Sequence, residues 1–293
     1  SMINLNRFLK LSTAKVSQEK VCGATDIGKM RENNEDYFFI EKKKQLFIVS
    51  DGMGGHNAGE VASLTATQTV RDYFSVERLT KLKKNPQNIR EEIINSIKQA
   101  HQRILEMSAQ NPDYKGMGCT IVVALMIDDT LHLGHIGDSR AYLTDEKSIA
   151  LLTTDHTYVM QLVKAGKMRL EDIRKSNIKN HLSQALGAPI TLTPDYVSQK
   201  LNPGNRVLMC TDGLWDLISD REIYNLLTQN KSKDQICKDF IRKANRKGGL
   251  DNITLIVIEY DDSDNLNEDQ KSETSDTGEY GVVFSFPSKD DSE

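Results

Sequence analysis

Three apolar runs in this chain end in an aspartate, and this pattern constrains the fold more than any other feature. The runs cover residues 46–49, 133–136 and 207–210, and the aspartates that follow are Asp51, Asp138 and Asp212. A further residue, Asp251, stands just before the apolar run at 253–258. Aspartate is a poor strand residue, and a carboxylate beside a core is costly to desolvate. Repeated placement at strand ends therefore predicts a compensating cation.

Divalent ions such as Mg²⁺ and Mn²⁺ fit this requirement, because they prefer oxygen ligands that converge from different elements. A single Asp-Gly pair is explained equally well by a tight turn, so it is the repetition that favours a site. Two such ions roughly 3.5 to 4 Å apart would activate a bridging water for attack on a phosphoryl group. In agreement, the chain has no GxSxG, catalytic cysteine or GxxxxGK[ST] motif.

The order of apolar patterns favours a layered α+β fold. Strands are predicted at 21–25, 37–40, 45–51, 206–212 and 252–260, and amphipathic helices at 61–73 and 89–104. The runs 119–127 and 131–138 read as a hairpin, to which 140–143 adds a third strand. Capping pairs at Ser219 with Glu222 and at Ser232 with Gln235 predict two more helices.

Residues 155–187 are polar and weakly periodic, which is typical of a small helical flap over a site. Strands and helices come in blocks, which disfavours a doubly wound parallel sheet.

Composition excludes several other classes. No stretch approaches the roughly 18 apolar residues of a membrane span, and no secretory signal is present, so we expect a cytoplasmic protein. The four cysteines form no CxxC pair and are expected to be buried free thiols. The formal charge is −4, but the tail from Asp261 holds 11 acidic and 2 basic residues, so the body is mildly basic. This weak positive charge could suit phosphopeptides but does not predict nucleic acid binding.

A series of motifs, taken together, resembles the metal-dependent protein phosphatase family, protein phosphatase type 2C, and in particular its compact bacterial-type members. The matching segments are Arg31-Glu-Asn-Asn-Glu-Asp36, Asp51-Gly-Met-Gly-Gly, Gly116-Met-Gly-Cys-Thr120, Gly137-Asp-Ser-Arg140, Thr154-Asp-His156, Ala185-Leu-Gly187, Cys210-Thr-Asp-Gly-Leu-Trp-Asp216 and Leu250-Asp-Asn-Ile253. They occur in the family's order between about residues 21 and 260. The resemblance implies a four-layer αββα sandwich of two antiparallel sheets flanked by helices.

The resemblance also implies a protein serine/threonine phosphatase that uses water bridging two Mn²⁺ or Mg²⁺ ions. The implied metal ligands are Asp36, Asp51, the carbonyl of Gly52, Asp212 and Asp251, with Asp51 bridging, and Asp138 is associated with a third, more weakly held ion. Arg31 is the implied phosphate-binding residue, because its planar fork can hold two phosphate oxygens. Without the motif around it, Arg31 would read as a solvated surface residue. Glu35 is expected to orient metal-bound water.

Two positions depart from the family pattern. Larger eukaryotic members carry a histidine after the Asp-Gly pair as a proposed general acid, whereas this chain has Met53. His56 lies three residues further on, where a turn or capping role is favoured over that of the acid. Compact members often have an arginine before the Ala-Leu-Gly stretch, and here it is Gln184. Since neither departure removes a metal ligand, we expect activity.

Two other functions compete with that of a phosphatase. A noncatalytic scaffold of this fold would be expected to lack some of the metal aspartates, and none is missing. A metal-dependent phosphodiesterase or nuclease could use the same two ions, but the motif order argues against it. We therefore expect an N-terminal extension at 1–20, a phosphatase domain at 21–260 with its flap at 155–187, and an acidic tail at 261–293. Expected partners are phosphoprotein substrates, including a cognate Ser/Thr kinase in signalling, with no nucleic acid or membrane, and a monomeric state.

Overall fold

The computed structural model describes residues 20–54 and 58–261. The predicted N-terminal extension up to residue 19, His56 and the acidic tail from residue 262 lie outside the described residues. The strands, in chain order, are β1 Val21–Asp26, β2 Asp36–Glu41, β3 Leu46–Met53, β4 Gly118–Cys119, β5 Ile121–Ile127, β6 Thr130–Ile136, β7 Arg140–Thr144, β8 Ile149–Leu151, β9 Asp195–Lys200, β10 Arg206–Cys210 and β11 Ile253–Glu259. The helices are α1 Ala58–Tyr73, α2 Val76–Lys84, α3 Ile89–Gln110, α4 Tyr158–Lys164, α5 Asp212–Trp215, α6 Asp220–Leu227 and α7 Lys233–Arg246.

Two antiparallel sheets form the centre of the molecule. One sheet has the order β1-β11-β10-β7-β8, and the other has the order β2-β3-β5-β6-β9 with β4 attached to β3. Apolar residues of both sheets, among them Phe47, Val122, Val207 and Ile256, pack together in one buried cluster between them. The strands can serve two cores because successive side chains point to opposite faces.

Helices cover the outer face of each sheet. The alternate residues of β3, such as Leu46 and Ile48, pack with the apolar sides of α1 and α3. On the other sheet, Leu255 and Val257 pack with α5, α6 and α7. The predicted αββα sandwich is therefore confirmed. None of the helices within the described residues combines the length and the apolar composition that crossing a bilayer requires.

Most predicted elements are present, and one strand lies in the other sheet. Residues 140–143 do form a strand, but β7 pairs with β10 and β8 instead of extending the β5–β6 hairpin. The chain leaves β6 at Gly137, whose φ of +98° turns the backbone, and crosses to the facing sheet. Asp138 lies on this crossing, so an aspartate from one sheet is carried to the edge of the other. The helix α6 has the predicted capping box at Ser219 and Glu222.

Candidate metal centre

The first two predicted aspartates are direct cross-strand partners. Asp36 opens β2 and lies opposite Asp51 near the end of β3. Opposed residues of an antiparallel pair place their side chains on the same face, with Cβ atoms about 5 Å apart. Asp36 is only 6% exposed, and its Oδ2 accepts a hydrogen bond from Thr211 Oγ1 at 2.8 Å. Its Oδ1 is buried without a hydrogen-bonding partner among the described residues.

The next two aspartates come from the other sheet. Asp212 is the first residue of α5, two residues after the end of β10, and Asp251 stands just before β11, which pairs with β10. The backbones of the two segments touch here, because a Cβ atom on Gly213 would lie 2.0 Å from the carbonyl oxygen of Asn252. Glycine at position 213 therefore allows Asp212 to approach Asp251. Asp212 Oδ1 is a second buried oxygen without a partner within the described segments.

Asp138 completes the carboxylate cluster from the crossing between the sheets. It is 3% exposed, and its carbonyl oxygen accepts a hydrogen bond from Trp215 Nε1 at 2.9 Å. Arg140 stacks over the Trp215 ring at 3.6 Å and makes paired hydrogen bonds of 2.9 and 2.6 Å to Asp155. The indole is thus held at one ring face by Arg140, and its Nε1 fixes the backbone that carries Asp138.

The electrostatics of this cluster follow from burial of like charges. Burial raises the pKa of Asp36 to about 7 and that of Asp212 to about 6, with neighbouring carboxylates adding to the effect. Burial, followed by repulsion from Asp36, Asp212, Asp138 and Asp251, raises the pKa of Asp51 well above its usual range. The pKa of Asp138 is raised for the same reasons. Burying several carboxylates together is unfavourable unless a cation binds among them.

Gly52 and Glu35 bring a third segment to the cluster. The Gly52 amide donates a hydrogen bond to the Glu35 carbonyl at 3.1 Å, and a Cβ on Gly52 would lie 2.1 Å from the carbonyl oxygen of Gly59. The end of β3, the start of α1 and the residue before β2 therefore meet, which only glycine at position 52 permits. The carboxylate of Glu35 lies against Gly59, beside the centre.

Arg31 lies at the open edge of the cluster. Its Nη2 is 2.7 Å from Asp251 Oδ2, and its side chain is 51% exposed. Solvent therefore reaches the guanidinium on one side while the carboxylates lie on the other. A phosphate entering from solvent would meet this cation first.

Asn252 holds the loop that carries Arg31, and sequence reasoning gave it no role. Its Nδ2 donates to the carbonyls of Ile27 and Asn33 at 3.0 and 2.9 Å, and its Oδ1 accepts from the Glu35 amide at 2.9 Å. The amide side chain thus joins the two segments that contain Arg31 and Asp251. The only signal in the sequence was its position after Asp251, because its partners lie more than 200 residues away.

The two departures from the family pattern lie outside the carboxylate cluster. Met53 is the last residue of β3 and pairs with Gly118. Gln184 bonds the backbone of Thr193, accepting from its amide at 2.8 Å and donating to its carbonyl at 3.4 Å. Gln184 therefore ties the segment 155–187 to the chain just before β9.

A second group of potential ligands lies at the base of the flap. His135, His156 and Asp195 have ligand atoms within 4.8 Å of one another. His156 Nδ1 accepts from the Gly137 amide at 3.2 Å, so its Nε2 carries the proton and faces Asp195 Oδ2 at 3.2 Å. In this tautomer His156 offers no lone pair to an ion. His156 and Asp195 are therefore explained as a hydrogen-bonded pair, and His135 stacks on His156 and bonds the Thr154 carbonyl at 2.9 Å.

Comparison with known proteins agrees with this architecture. A family model described as protein phosphatase 2C matches residues 28–251. The serine/threonine phosphatase stp of Listeria monocytogenes is 32% identical over 240 residues, covering 81% of this chain and 94% of that protein. A serine/threonine phosphatase structure from S. agalactiae has a TM-score of 0.76 at 35% identity, covering 83% of this chain and 99% of the other.

One further structure bears on the metal. The catalytic domain of the serine/threonine protein phosphatase PstP in complex with two manganese ions has a TM-score of 0.72 at 29% identity, covering 83% of this chain and 98% of that one. The carboxylates lie together where the two sheets meet, and the family model spans most of the described residues. The chain therefore belongs to the protein phosphatase 2C family of metal-dependent protein serine/threonine phosphatases.

Proposed function

We propose that this chain removes phosphate from phosphoserine and phosphothreonine of other proteins at a binuclear centre held by Asp36, Asp51, Asp212 and Asp251, with the Gly52 carbonyl as a further ligand. The observation that supports this most is the buried carboxylate cluster with two unpartnered oxygens, Asp36 Oδ1 and Asp212 Oδ1. Such atoms are costly in a protein interior unless they have a ligand. Asp138, a deeply buried member of this cluster, is proposed to hold a third, more weakly bound ion.

The donor set fits Mn²⁺ or Mg²⁺. All of the side chains offered are carboxylates, from both sheets, and hard divalent ions select oxygen ligands. When bound, such ions supply the positive charge that activates water and neutralises the phosphoryl group. The chain itself provides a buried, preformed set of acceptors, because Asp36 and Asp51 are fixed by strand pairing and Asp212 by the close packing of Gly213.

Arg31 is proposed to bind the substrate phosphate. It is the cation at the exposed rim of the cluster, and its fork can grip two phosphate oxygens at once. The ion pair with Asp251 orients the guanidinium towards the centre before substrate arrives, which lowers the ordering cost of binding. Glu35 is proposed to orient water from its position beside Gly59.

The two cysteines nearest the centre are poor covalent nucleophiles. Cys119 and Cys210 are completely buried, and burial raises the pKa of the Cys119 thiol to about 12 and also raises that of Cys210. A thiol that stays protonated is a poor nucleophile. This supports direct attack by water at the centre over a cysteinyl-phosphate route.

The wider assignment is part of the same proposal. We take 21–260 as the phosphatase domain and 155–187 as its flap. Substrates are phosphoproteins, including the serine/threonine kinase that opposes the enzyme, and the protein works as a monomer in the cytoplasm. The four buried free cysteines are typical of a reducing compartment.

Hydrolysis of a phosphothreonine peptide and of a phosphodiester, each with Mn²⁺ and with chelator, tests the function. We expect Mn²⁺-dependent release of phosphate from the peptide and little cleavage of the diester. Cleavage of the diester without the peptide would favour a nuclease or phosphodiesterase instead. Mn²⁺ binding without turnover of any phosphoester would favour a noncatalytic scaffold.

A further inference from the structure

Two loops meet at the open edge of the carboxylate cluster, where Arg31 lies, and each loop ends in a residue of the proposed site. The arginine loop covers residues 27–31, and the aspartate loop covers residues 248–251. The Lys29 amide donates to the Gly249 carbonyl at 2.7 Å, and two residues later Arg31 contacts Asp251 at 2.7 Å. Met30 and Leu250 each lie between these two contacts in their own loop.

Met30 and Leu250 are both large, apolar and exposed to solvent. Met30 is 69% exposed and Leu250 is 57% exposed, and neither belongs to a buried apolar cluster. Ile27, at the start of the arginine loop, is 38% exposed. Single exposed apolar residues are normal on protein surfaces, whereas several on two joined loops beside a charged site are typical of a binding surface.

The two loops are held in place before any ligand binds. Asn252 bonds the carbonyls of Ile27 and Asn33, which lie on either side of Met30. Gly28 has a φ of +78°, and a Cβ there would lie 2.3 Å from the Asp251 carbonyl oxygen, so the loops are in backbone contact. Asp26 Oδ1 accepts from the Gly28 amide at 2.9 Å and from Asn245 Nδ2 at 3.0 Å. A preformed surface loses little conformational freedom when it binds.

We propose that Met30 and Leu250 form a subsite for an apolar side chain of the substrate, close to the phosphorylated residue. This inference rests on the proposed phosphate-binding role of Arg31. Once the phosphate is on Arg31, the peptide must leave the centre across its rim, and Met30 and Leu250 are the immediate chain neighbours of Arg31 and Asp251. An extended peptide advances about 3.3 to 3.6 Å per residue, so a side chain within three positions of the phosphoresidue reaches this surface.

The expected preference is modest, because the subsite is open. An enclosed pocket discriminates about 10- to 200-fold per methylene group. Two half-exposed side chains cover only part of a leucine, so we expect about fivefold higher kcat/KM for an apolar flanking residue than for serine. The preference should appear in kcat/KM, since the contact is made on the way to the transition state.

A set of phosphothreonine peptides with a single leucine or serine at each position from −3 to +3 tests the subsite. Hydrolysis is measured with Mn²⁺ for the wild type, Met30→Ser, Leu250→Ser and the double variant. We expect the leucine-to-serine ratio of kcat/KM to be about five at one or two positions and to fall towards one in the double variant. Met30→Leu should keep the preference.

Val76→Ser is the matched control, because Val76 is 65% exposed at the start of α2, away from the two loops. It should leave the ratio unchanged, and thermal melts should show all variants folded. A wild-type ratio near one at every position, or a ratio that the double variant does not change, overturns the subsite while leaving the phosphatase intact. Failure of the wild type to hydrolyse any peptide overturns the proposed function and the subsite with it.

Discussion

The carboxylate cluster and the segment 155–187, which we propose as a flap, are built in opposite ways. The cluster lies on paired strands and on turns packed between them, with Asp36 and Asp138 almost fully buried. The flap has one short helix, α4, and a 3-10 helix at Leu170–Lys175, and it leaves Tyr158 and Leu170 more than half exposed. Chemical groups that must keep their geometry therefore lie on rigid elements, and the segment beside them is thinly packed.

The flap is tied to the body mainly near its ends. The His156 amide donates to the Gly137 carbonyl at 2.9 Å, and Leu186 forms a bridge with Cys119. Between these ends, Lys179 Nζ reaches both carboxylate oxygens of Asp216 at 2.7 Å. Asp216 directly follows α5, the helix that begins with Asp212. We therefore expect changes in the cluster to alter the rate of the chemical step, and changes in the flap to alter access of the substrate.

The largest difference is expected between Asp51→Asn in the cluster and Asp172→Asn in the flap. Loss of a charge that holds the cations should lower kcat about 10³-fold or more, on the order of 4 kcal/mol in the barrier. The metal-free variant should nevertheless melt at the same or a higher temperature, because one buried repulsive charge is gone.

Asp172→Asn should change kcat less than twofold, since Asp172 pairs with Arg169 within the flap. Steady-state kinetics at saturating Mn²⁺ and melting with chelator measure the two effects. Substantial turnover by Asp51→Asn would remove Asp51 from the metal ligands.

The pH dependence of stability should also come from the cluster. In the metal-free protein the pKa of Asp36 is raised to about 7 and that of Asp212 to about 6, so the folded state binds more protons than the unfolded state between about pH 4 and 7. The contribution of these groups is therefore present below their unfolded pKa values and is lost as the pH rises from about 4 to 7. We expect a loss on the order of a few kcal/mol.

Thermal melts between pH 5 and 8 with chelator should show this fall, and Mn²⁺ should raise the melting temperature more at pH 8 than at pH 5. The reason is that protons compete with the ions for the same oxygens. Asp36→Asn should flatten the chelator curve. A metal-free protein whose stability rises steadily over this range would contradict the explanation.

Asn252 and Gln184 offer a matched pair of amides, one beside the cluster and one at the end of the flap. Asn252→Ala removes three hydrogen bonds to partly buried backbone groups, and at about 1 kcal/mol each we expect a loss of about 2 to 3 kcal/mol in unfolding free energy. Gln184→Ala removes two hydrogen bonds that are more exposed than those of Asn252. It should lower the unfolding free energy by less than about 1 kcal/mol. Denaturant titration with metal present compares them, and equal losses would show that the Arg31 loop is not specially held.

Arg31→Ala tests the exposed rim of the cluster. Removal of the guanidinium should raise KM for a phosphothreonine peptide about tenfold while kcat changes less, because the contact with phosphate exists already in the ground state. Arg169→Ala in the flap is the control, since Arg169 pairs with flap residues Glu171 and Asp172. An unchanged KM for Arg31→Ala would exclude Arg31 from the phosphate site.

The cluster was easier to predict from sequence than the elements around it. Asp51, Asp138 and Asp212 follow apolar runs, and a residue type that opposes its local structure points to a function. The partners of Asn252 could not be predicted, because they become neighbours only when the two sheets pack. Similarly, β7 looked like an extension of the hairpin, since its apolar pattern does not reveal that Gly137 turns the chain into the facing sheet.

Two elements gave too weak a pattern to be predicted. The strand β9, Asp195–Lys200, lies at the edge of its sheet and is only partly buried, so it lacks the apolar alternation of a strand. The helix α2 buries Leu79 and Leu82 and is otherwise charged or exposed. In both cases tertiary packing, more than local propensity, stabilises the element.

Lys179→Met tests the contact between the flap and the end of α5, and its effect should be small. The Lys179–Asp216 pair is part-exposed, so its loss should cost less than about 1 kcal/mol and leave the melting temperature nearly unchanged. A looser flap should raise KM for a phosphoprotein about threefold, and a small aryl phosphate, which does not touch the flap, should keep its KM. Lys175→Met, at the end of the flap's 3-10 helix, is the matched control. If Lys179→Met lowered kcat for both substrates instead, the flap would take part in the chemistry through Asp216. The distinction between a cluster that sets the chemistry and a flap that controls access would then be wrong.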